Sequence, residues 1–352
     1  MTIGVNTGST IAASQIRTEF GASLSGNQVS LGNYRISQDI NVLNNQPLDT
    51  GIPQSGAIAM SNFSQKSLNV IVNVYSGGIQ YHRNAKTIYN SNDVVVIGGF
   101  RNKKITGSKI IILVNKQLGA HSSPGHNTPA SRCALRTGTW GGSGNPHSVH
   151  VKLGSSAKIY GSGGKGGDGK SATGGTAQGG SPGSSGLGIE HEGTLISMLS
   201  GSAIIRRGYG GGGGGGAATE TSKVTRRAGG GGGGGGAGFP AGTGGERGTP
   251  SGGGSNQPGE DGGNGNFNNG GEGGNGGNND NEAIGGTGGD GGDPAGGATK
   301  GGDTSNEGSS NGGPGGGNGR GMRRTNSNIV FHFQTGNTGT VNDKTNPGNG
   351  VS

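Results

Sequence analysis

Between residues 154 and 321, glycine fills 68 of 168 positions, leaving 22 of the chain's 90 glycines for everything else. Two pure runs stand out, Gly210–Gly216 and Gly229–Gly236. Downstream, glycine takes a period of three, in GGEGGNGGN from Gly270 and in GGTGGDGGD from Gly285 to Asp293. A segment of this kind is either a flexible tether or an ordered solid, because it has no side chains with which to build an ordinary core. The regular register and modest serine content argue for the solid.

Three residues per turn is the repeat of a polyproline II helix, which rises ~3.1 Å per residue and makes no internal hydrogen bonds. Built from glycine, such helices can lie side by side and satisfy one another's N–H and C=O groups, as buried amides require. The spacing therefore predicts polyglycine II helices. Pure-glycine runs would lie inside, and GGx helices outside would turn each Asn, Asp or Glu to water. An eight-residue run would span about 25 Å. Collagen shares the geometry but wants one glycine in three and abundant proline. Here glycine reaches two in three, and the 352-residue chain has 12 prolines.

The rest of the chain is conventional. Its hydrophobic fraction of 26% leaves material for a core mainly in the first half. One cysteine, Cys133, excludes an intramolecular disulfide framework and a multi-cysteine zinc site. The start, MTIGVNTGST, lacks a basic region followed by an apolar one, so no secretory signal is expected. Charge is uneven: +13 over residues 1–228, −7 over 229–321 and +2 over 322–352. That distribution is unlike a nucleic-acid binder with one cationic face.

Residues 1–66 read as a leader in which Ser14 caps a short helix carrying Ile16 and Phe20 and closed by Gly21. Residues 67–160 read as β-rich, with five to seven short strands in a small sandwich or a stacked layer. Leu68, Val70, Val72 and Val74 alternate, while Val94–Ile97 and Ile110–Val114 are continuous runs suited to strands covered on both faces. Residues 161–321 form the glycine-rich domain. Within it the island Gly186–Gly210, with Leu195, Ile196, Leu199, Ile204 and Ile205, is expected to supply two strands tied to the β-rich core. Residues 322–352 carry a last strand, Asn328–Gln334, returning to that core, with Ile329, Phe331 and Phe333 on one face. The fold class is thus mainly β in the first half, followed by a polyglycine II sandwich.

The phrases SQIRTEFG (Ser14–Gly21) and GIPQSGAIAMSNF (Gly51–Phe63) resemble the opening of many tailed-phage structural proteins. With the glycine motifs, the layout resembles the distal receptor-binding adhesin of long tail fibres in T-even-like phages. That resemblance implies an attachment segment with Ile16, Phe20, Ile58 and Phe63 docking to other tail or tail-fibre proteins. It also implies a virion location and loops between glycine helices that touch a host outer-membrane protein or surface glycan. Oligomeric state is left open. The β-rich segment is longer than the resemblance predicts.

Several motifs compete. GKGGDGKS (Gly164–Ser171) satisfies the phosphate-loop pattern, but ATGGTAQGGSPG follows where a helix is required. GGTGGDGGD begins like a calcium-binding nonapeptide, with Gly292 at the apolar position. His121, His126, His147 and His150 cluster in sequence, yet His147 and His150 would point to opposite faces of a strand. Cys133 has cationic neighbours, Arg132 and Arg136, but no histidine–acid pair to make it a nucleophile. No Arg-Gly-Gly tripeptide or stacking platform supports RNA binding. A depolymerase would need paired carboxylates, for which Glu190 and Glu192 are the close pair in the better-ordered half. No metal, cofactor, nucleic-acid partner or catalytic site is therefore expected.

What remains is the set of inserts between glycine runs. Joining packed helices places inserts at the ends of the stack, so about half should crowd one end. Their charged and aromatic residues, Glu220, Lys223, Arg226, Arg227, Phe239, Arg247, Phe267, Asp280 and Glu282, are the receptor-binding candidates. The competing class is a glycine-rich structural protein that uses the same frame without a receptor.

Overall fold

A computed structural model describes the chain apart from residues 1–9, 21–29, 35–51, 54, 65, 67–69, 75–79, 82, 86–109, 121–131, 141–147, 222–224, 253–255, 281–282, 305–309, 325–328, 334–339 and 342–352. The aliphatic runs build three parallel sheets. The first joins β1 (Val70–Asn73), β4 (Ile110–Val114), β7 (Val149–Leu153), β10 (Thr194–Met198) and β19 (Phe331–Phe333). The second joins β2 (Gln80–Tyr81), β5 (Gln117–Gly119), β8 (Lys158–Tyr160), β11 (Ile204–Arg206) and β20 (Thr340–Val341). The third joins β3 (Arg83–Asn84), β6 (Cys133–Arg136), β9 (Ser185–Ile189) and β18 (Met322–Arg324). The chain visits the sheets in the same rotation each time, so it winds as a three-sided parallel β-coil rather than folding as an antiparallel sandwich.

Alternation puts one face of each strand inside the coil. Register then stacks like on like: Ile112 on Val151 on Ile196, Leu118 on Ile159 on Ile205, and Leu135 on Leu187 on Met322. These residues belong to one buried core with Trp140, Phe331 and Val341. All five residues of β4 are buried, as its continuous apolar run predicts. Val94–Ile97 lies outside the described residues. The Gly186–Gly210 island supplies β9, β10 and β11, and Asn328–Gln334 supplies β19. Residues 161–321 are therefore not one uninterrupted body, since three coil strands lie within them.

In the leader, α1 (Ala13–Phe20) begins one residue before the expected cap. Ser14 is inside the helix, and the Gln15 side chain accepts from the Ala12 N–H at 2.8 Å. This is half of a capping box, built from the N3 side. Ile16 and Phe63 are fully buried, Ile58 is half-buried, and the Phe20 side chain lies outside the described residues.

The glycine-rich chain leaves the coil twice, between β8 and β9 and between β11 and β18. It forms ten hydrogen-bonded segments: I (161–170), II (178–184), III (208–216), IV (229–237), V (242–248), VI (260–266), VII (271–277), VIII (285–292), IX (299–302) and X (313–319). Successive segments run in opposite directions. In segment IV the N–H donors rotate through three neighbours with a period of three. Gly230, Gly233 and Gly236 donate to Lys170, Gly167 and Gly164; Gly231 and Gly234 donate to Gly286 and Gly289; Gly232 and Gly235 donate to Glu260 and Gly263. Its carbonyls accept from segments III, V and VII. Segment III likewise has six neighbours: I, II, IV, VIII, IX and X. Together the ten make rows of three, four and three (II–I–V, X–III–IV–VI and IX–VIII–VII), with III and IV enclosed.

Close approach explains the pure glycine runs within the two enclosed segments. A Cβ built at any residue of Gly229–Gly236 would sit 1.9–2.2 Å from a carbonyl oxygen of another segment. For Gly210–Gly216 the distance is 1.8–2.1 Å. Both runs are buried, whereas Glu272, Asn275, Thr287 and Asp290, the third residues of GGx triplets, are exposed.

Candidate functional site

The alternating directions send five connections to the end remote from the coil: I–II, III–IV, V–VI, VII–VIII and IX–X. We call this end the tip. Two of its connections fold back as hairpins. In III–IV, β12 (Ala218–Glu220) pairs with β13 (Arg226–Ala228), which also pairs with β14 (Ser251–Gly252) from V–VI. In VII–VIII, β16 (Asn278–Asn279) pairs with β17 (Ala283–Ile284) and with β15 (Asn256–Gln257). The hairpin turns at Asp280, an acid in the left-handed region at φ 56°.

Ala218, Ala228 and Ala283 form a small buried cluster between the two sheets. Glu220 and Arg226 are opposite one another in register and share the face of Ala218 and Ala228. From that face Arg226 Nε reaches Asp280 Oδ2 at 3.2 Å, tying one hairpin to the other. Arg247 lies at the tip end of segment V. Its amide donates to Asp261 Oδ1 at 2.9 Å, and its half-exposed guanidinium lies 3.9 Å from the same carboxylate. Ile284 is 53% exposed beside these charges. The tip thus gathers Glu220, Arg226, Arg227, Arg247 and Asp280. Lys223 and Glu282 lie outside the described residues.

Phe239 and Phe267 are not at the tip. They occupy the IV–V and VI–VII connections at the coil end, where both meet Tyr160 of β8 edge-on, at 6.4 Å and 4.7 Å between ring centroids. Arg206 of β11 lies 5.0 Å from the Phe267 ring centre and 5.5 Å from that of Tyr209, and its Nη1 donates to Asn268 Oδ1 at 3.2 Å. The Phe239 N–H donates to Gly161 O, and Phe239 O accepts from Ala120. This is a joint between coil and glycine segments. Burial pushes the Tyr160 phenol up, partly offset by the Arg206 cation. Phe239 and Phe267, expected among the receptor-binding candidates, sit instead at this joint, where Phe267 remains 36% exposed. The available signal was position: Tyr160, Tyr209, Phe239 and Phe267 all lie at the coil-side ends of glycine segments.

The competing motifs resolve as parts of the frame. In GKGGDGKS the amides of Gly164, Gly167 and Lys170 donate to segment III, and those of Gly166 and Gly169 to Thr243 and Glu246, so they form no phosphate cradle. In GGTGGDGGD, Asp290 Oδ1 accepts from the Gly273 amide at 2.9 Å, and Asp293 Oδ1 accepts from Ala295 and Gly296. His150 Nε2 bonds Ser197 Oγ, while His121, His126 and His147 lie outside the described residues. Glu190 is held by Arg136 and by the Thr137 side chain's contact to its amide, and Glu192 is exposed. Among the described residues no three His, Cys, Asp or Glu come together as a metal site. Cys133 is buried, and burial pushes its thiol up to about 12, outweighing the opposing pull of Arg323 and Arg136.

No protein-family model matches the chain, and no curated protein matches it. Among solved structures it is similar, at 17% identity and a TM-score of 0.34, to the crystal structure of the gp37-gp38 adhesin tip complex of the bacteriophage S16 long tail fiber. The match covers 92% of this chain and 95% of that chain.

Proposed function

We propose that the chain is a phage tail-fibre or tail-tip adhesin. In this reading the ten glycine-rich segments are polyglycine II helices, forming a rigid sandwich that presents the tip loops to a receptor on the host surface. The observation that carries it is the convergence of five connections on one end of a frame whose backbone groups are mutually satisfied. A tether would scatter such inserts, whereas a packed frame fixes them relative to one another and lowers the ordering cost of binding. Glu220, Arg226, Arg227, Arg247 and Asp280, with Lys223 and Glu282, are the receptor-facing set.

Attachment to other tail proteins falls to the coil half. Because Ile16 and Phe63 are buried, they shape the leader rather than meet a partner directly, while Met60, in the same short turn as Phe63, is 40% exposed. The proposal includes no catalytic step or cofactor. Several copies per virion would multiply weak loop contacts into firm adsorption.

Replacing residues 219–227 by a short Gly-Ser turn tests the reading. The variant should keep its melting temperature within a few degrees and lose host-cell adsorption by at least tenfold. Unchanged adsorption by a folded variant would sink the adhesin reading and favour a structural role for the glycine frame.

A further inference from the structure

The tip sheet has a second face whose groups the hairpin packing leaves unused. Residues opposite one another in an antiparallel pair point to the same side, with Cβ atoms ~4.5–5.5 Å apart. Register places Thr219 opposite Arg227 and Arg227 opposite Ser251. The three therefore form a row across β12, β13 and β14, on the opposite side from Ala218, Ala228, Glu220 and Arg226. That other side is closed by Ala283 and by the Arg226–Asp280 pair. The row is a guanidinium between two hydroxyls.

Its charge is unspent. Arg226 and Arg247 each have a carboxylate at the tip, Asp280 and Asp261. Half-buried Arg227 has none, and among the described residues nothing accepts a hydrogen bond from it. Beside it, Ser251 Oγ is buried without a hydrogen-bond partner among the described residues. A buried hydroxyl and a partly desolvated guanidinium both lose free energy until a ligand or partner group satisfies them.

We propose that this row binds the carboxylate of an acidic sugar in a host-surface glycan. Arg227 pairs with the carboxylate, and Thr219 and Ser251 meet the hydroxyls that flank it. The inference rests on the adhesin reading and adds the ligand's chemistry to it. A guanidinium fork matches a planar carboxylate with two parallel hydrogen bonds. Hydroxyl side chains on either side suit a ligand whose acid group sits among hydroxyls, as in a uronic acid. An acidic protein loop would present its carboxylate among amides and apolar groups instead.

The test uses the full chain with tetragalacturonate and its carboxyl-reduced counterpart, with affinity read by titration calorimetry and the contact in the parent chain by the Arg227 Nε–Hε NMR signal. Saturable binding of the acidic tetramer should shift that signal. Carboxyl reduction and Arg227→Gln should each weaken binding at least tenfold, and Lys165→Gln, an exposed cation of segment I outside the receptor-facing set, should leave it within about twofold. Equal binding of the reduced tetramer, no binding of the acidic one, or an Arg227→Gln variant that binds like the parent with an unchanged melting temperature would each overturn the proposal. Tighter binding of hexaglutamate than of tetragalacturonate would also overturn it, in favour of a protein receptor. The two levels separate in adsorption assays. If replacing residues 219–227 abolishes adsorption while Arg227→Gln does not, the sugar inference fails and the adhesin reading stands. If neither change affects adsorption, the adhesin reading fails.

Discussion

Gly233 and Gly296 both stay out of the left-handed region and differ in what surrounds them. A Cβ on Gly233 would lie 2.2 Å from Gly212 O, which is backbone and cannot rotate away, whereas a Cβ on Gly296 would meet nothing within 4 Å. Gly233→Ala must therefore push two segments apart and strain hydrogen bonds along both. We expect a loss of about 3 kcal/mol or more, at the upper end of overpacking costs, seen as a large fall in calorimetric melting temperature. Gly296→Ala should change stability by less than about 0.5 kcal/mol. Equal melting temperatures for the two variants would refute the packing argument. Cys133 gives a second residue-scale prediction. Its thiol, pushed up to about 12 by burial from a model-compound value of 9.0, binds its proton more tightly folded than unfolded. Its contribution is fully present below pH 9 and is lost as pH rises from there towards 12. At pH 8 the folded protein should resist thiol reagents that label it at once in denaturant; rapid labelling of the native chain would contradict this burial.

At the scale of elements, the sequence was most legible where one short run carries its own pattern. Ile110–Val114 reads as a doubly covered strand and is one, the island at 186–210 yields three strands where two were expected, and 328–334 yields the one expected of it. Partnership was not legible. β4 pairs in parallel with β7 and β1, and nothing local in Ile110–Val114 states which distant run will lie alongside. The helix start was misread for a related reason, because Ser14 is a good cap residue but Gln15 reaches back from inside the first turn. Period and burial could not place Phe239 and Phe267 either, since their role depends on where the coil ends. The joint they form with Tyr160 and Arg206 makes a separable prediction. Phe267→Ala removes an edge-to-face contact and a cation–π contact, together about 1–2 kcal/mol. It should lower the melting temperature while leaving adsorption by the remaining folded protein within about twofold. A tenfold adsorption loss at unchanged melting temperature would move Phe267 from the joint to the receptor surface.

On the scale of the whole molecule, coil and glycine frame depend on each other through the path of the chain. Segments I, II, III and X run directly into β8, β9, β11 and β18, so the third sheet cannot close until the glycine excursions have returned. Each glycine ordered costs roughly 1–2 kcal/mol of backbone entropy, against a net gain of about 0.5–1.5 kcal/mol per hydrogen bond. A lone pair of such segments is consequently unstable. Only enclosure, in which every residue both donates and accepts, shifts the balance, and this makes the frame cooperative. Amide hydrogen exchange reads that cooperativity. The amides of Gly231–Gly235 donate to Gly286, Glu260, Gly167, Gly289 and Gly263 on three different segments, so exposing any one of them requires opening the stack. They should exchange with protection close to that of Ile112 and Val151 in the coil core, while the largely exposed VIII–IX connection at 293–298 exchanges orders of magnitude faster through local opening. In a tether the same glycine amides would exchange at the rate of an unstructured peptide. Mass spectrometry of peptides spanning 229–236 separates the outcomes, and unprotected exchange there would remove the rigid frame on which the tip loops, and any receptor they bind, depend.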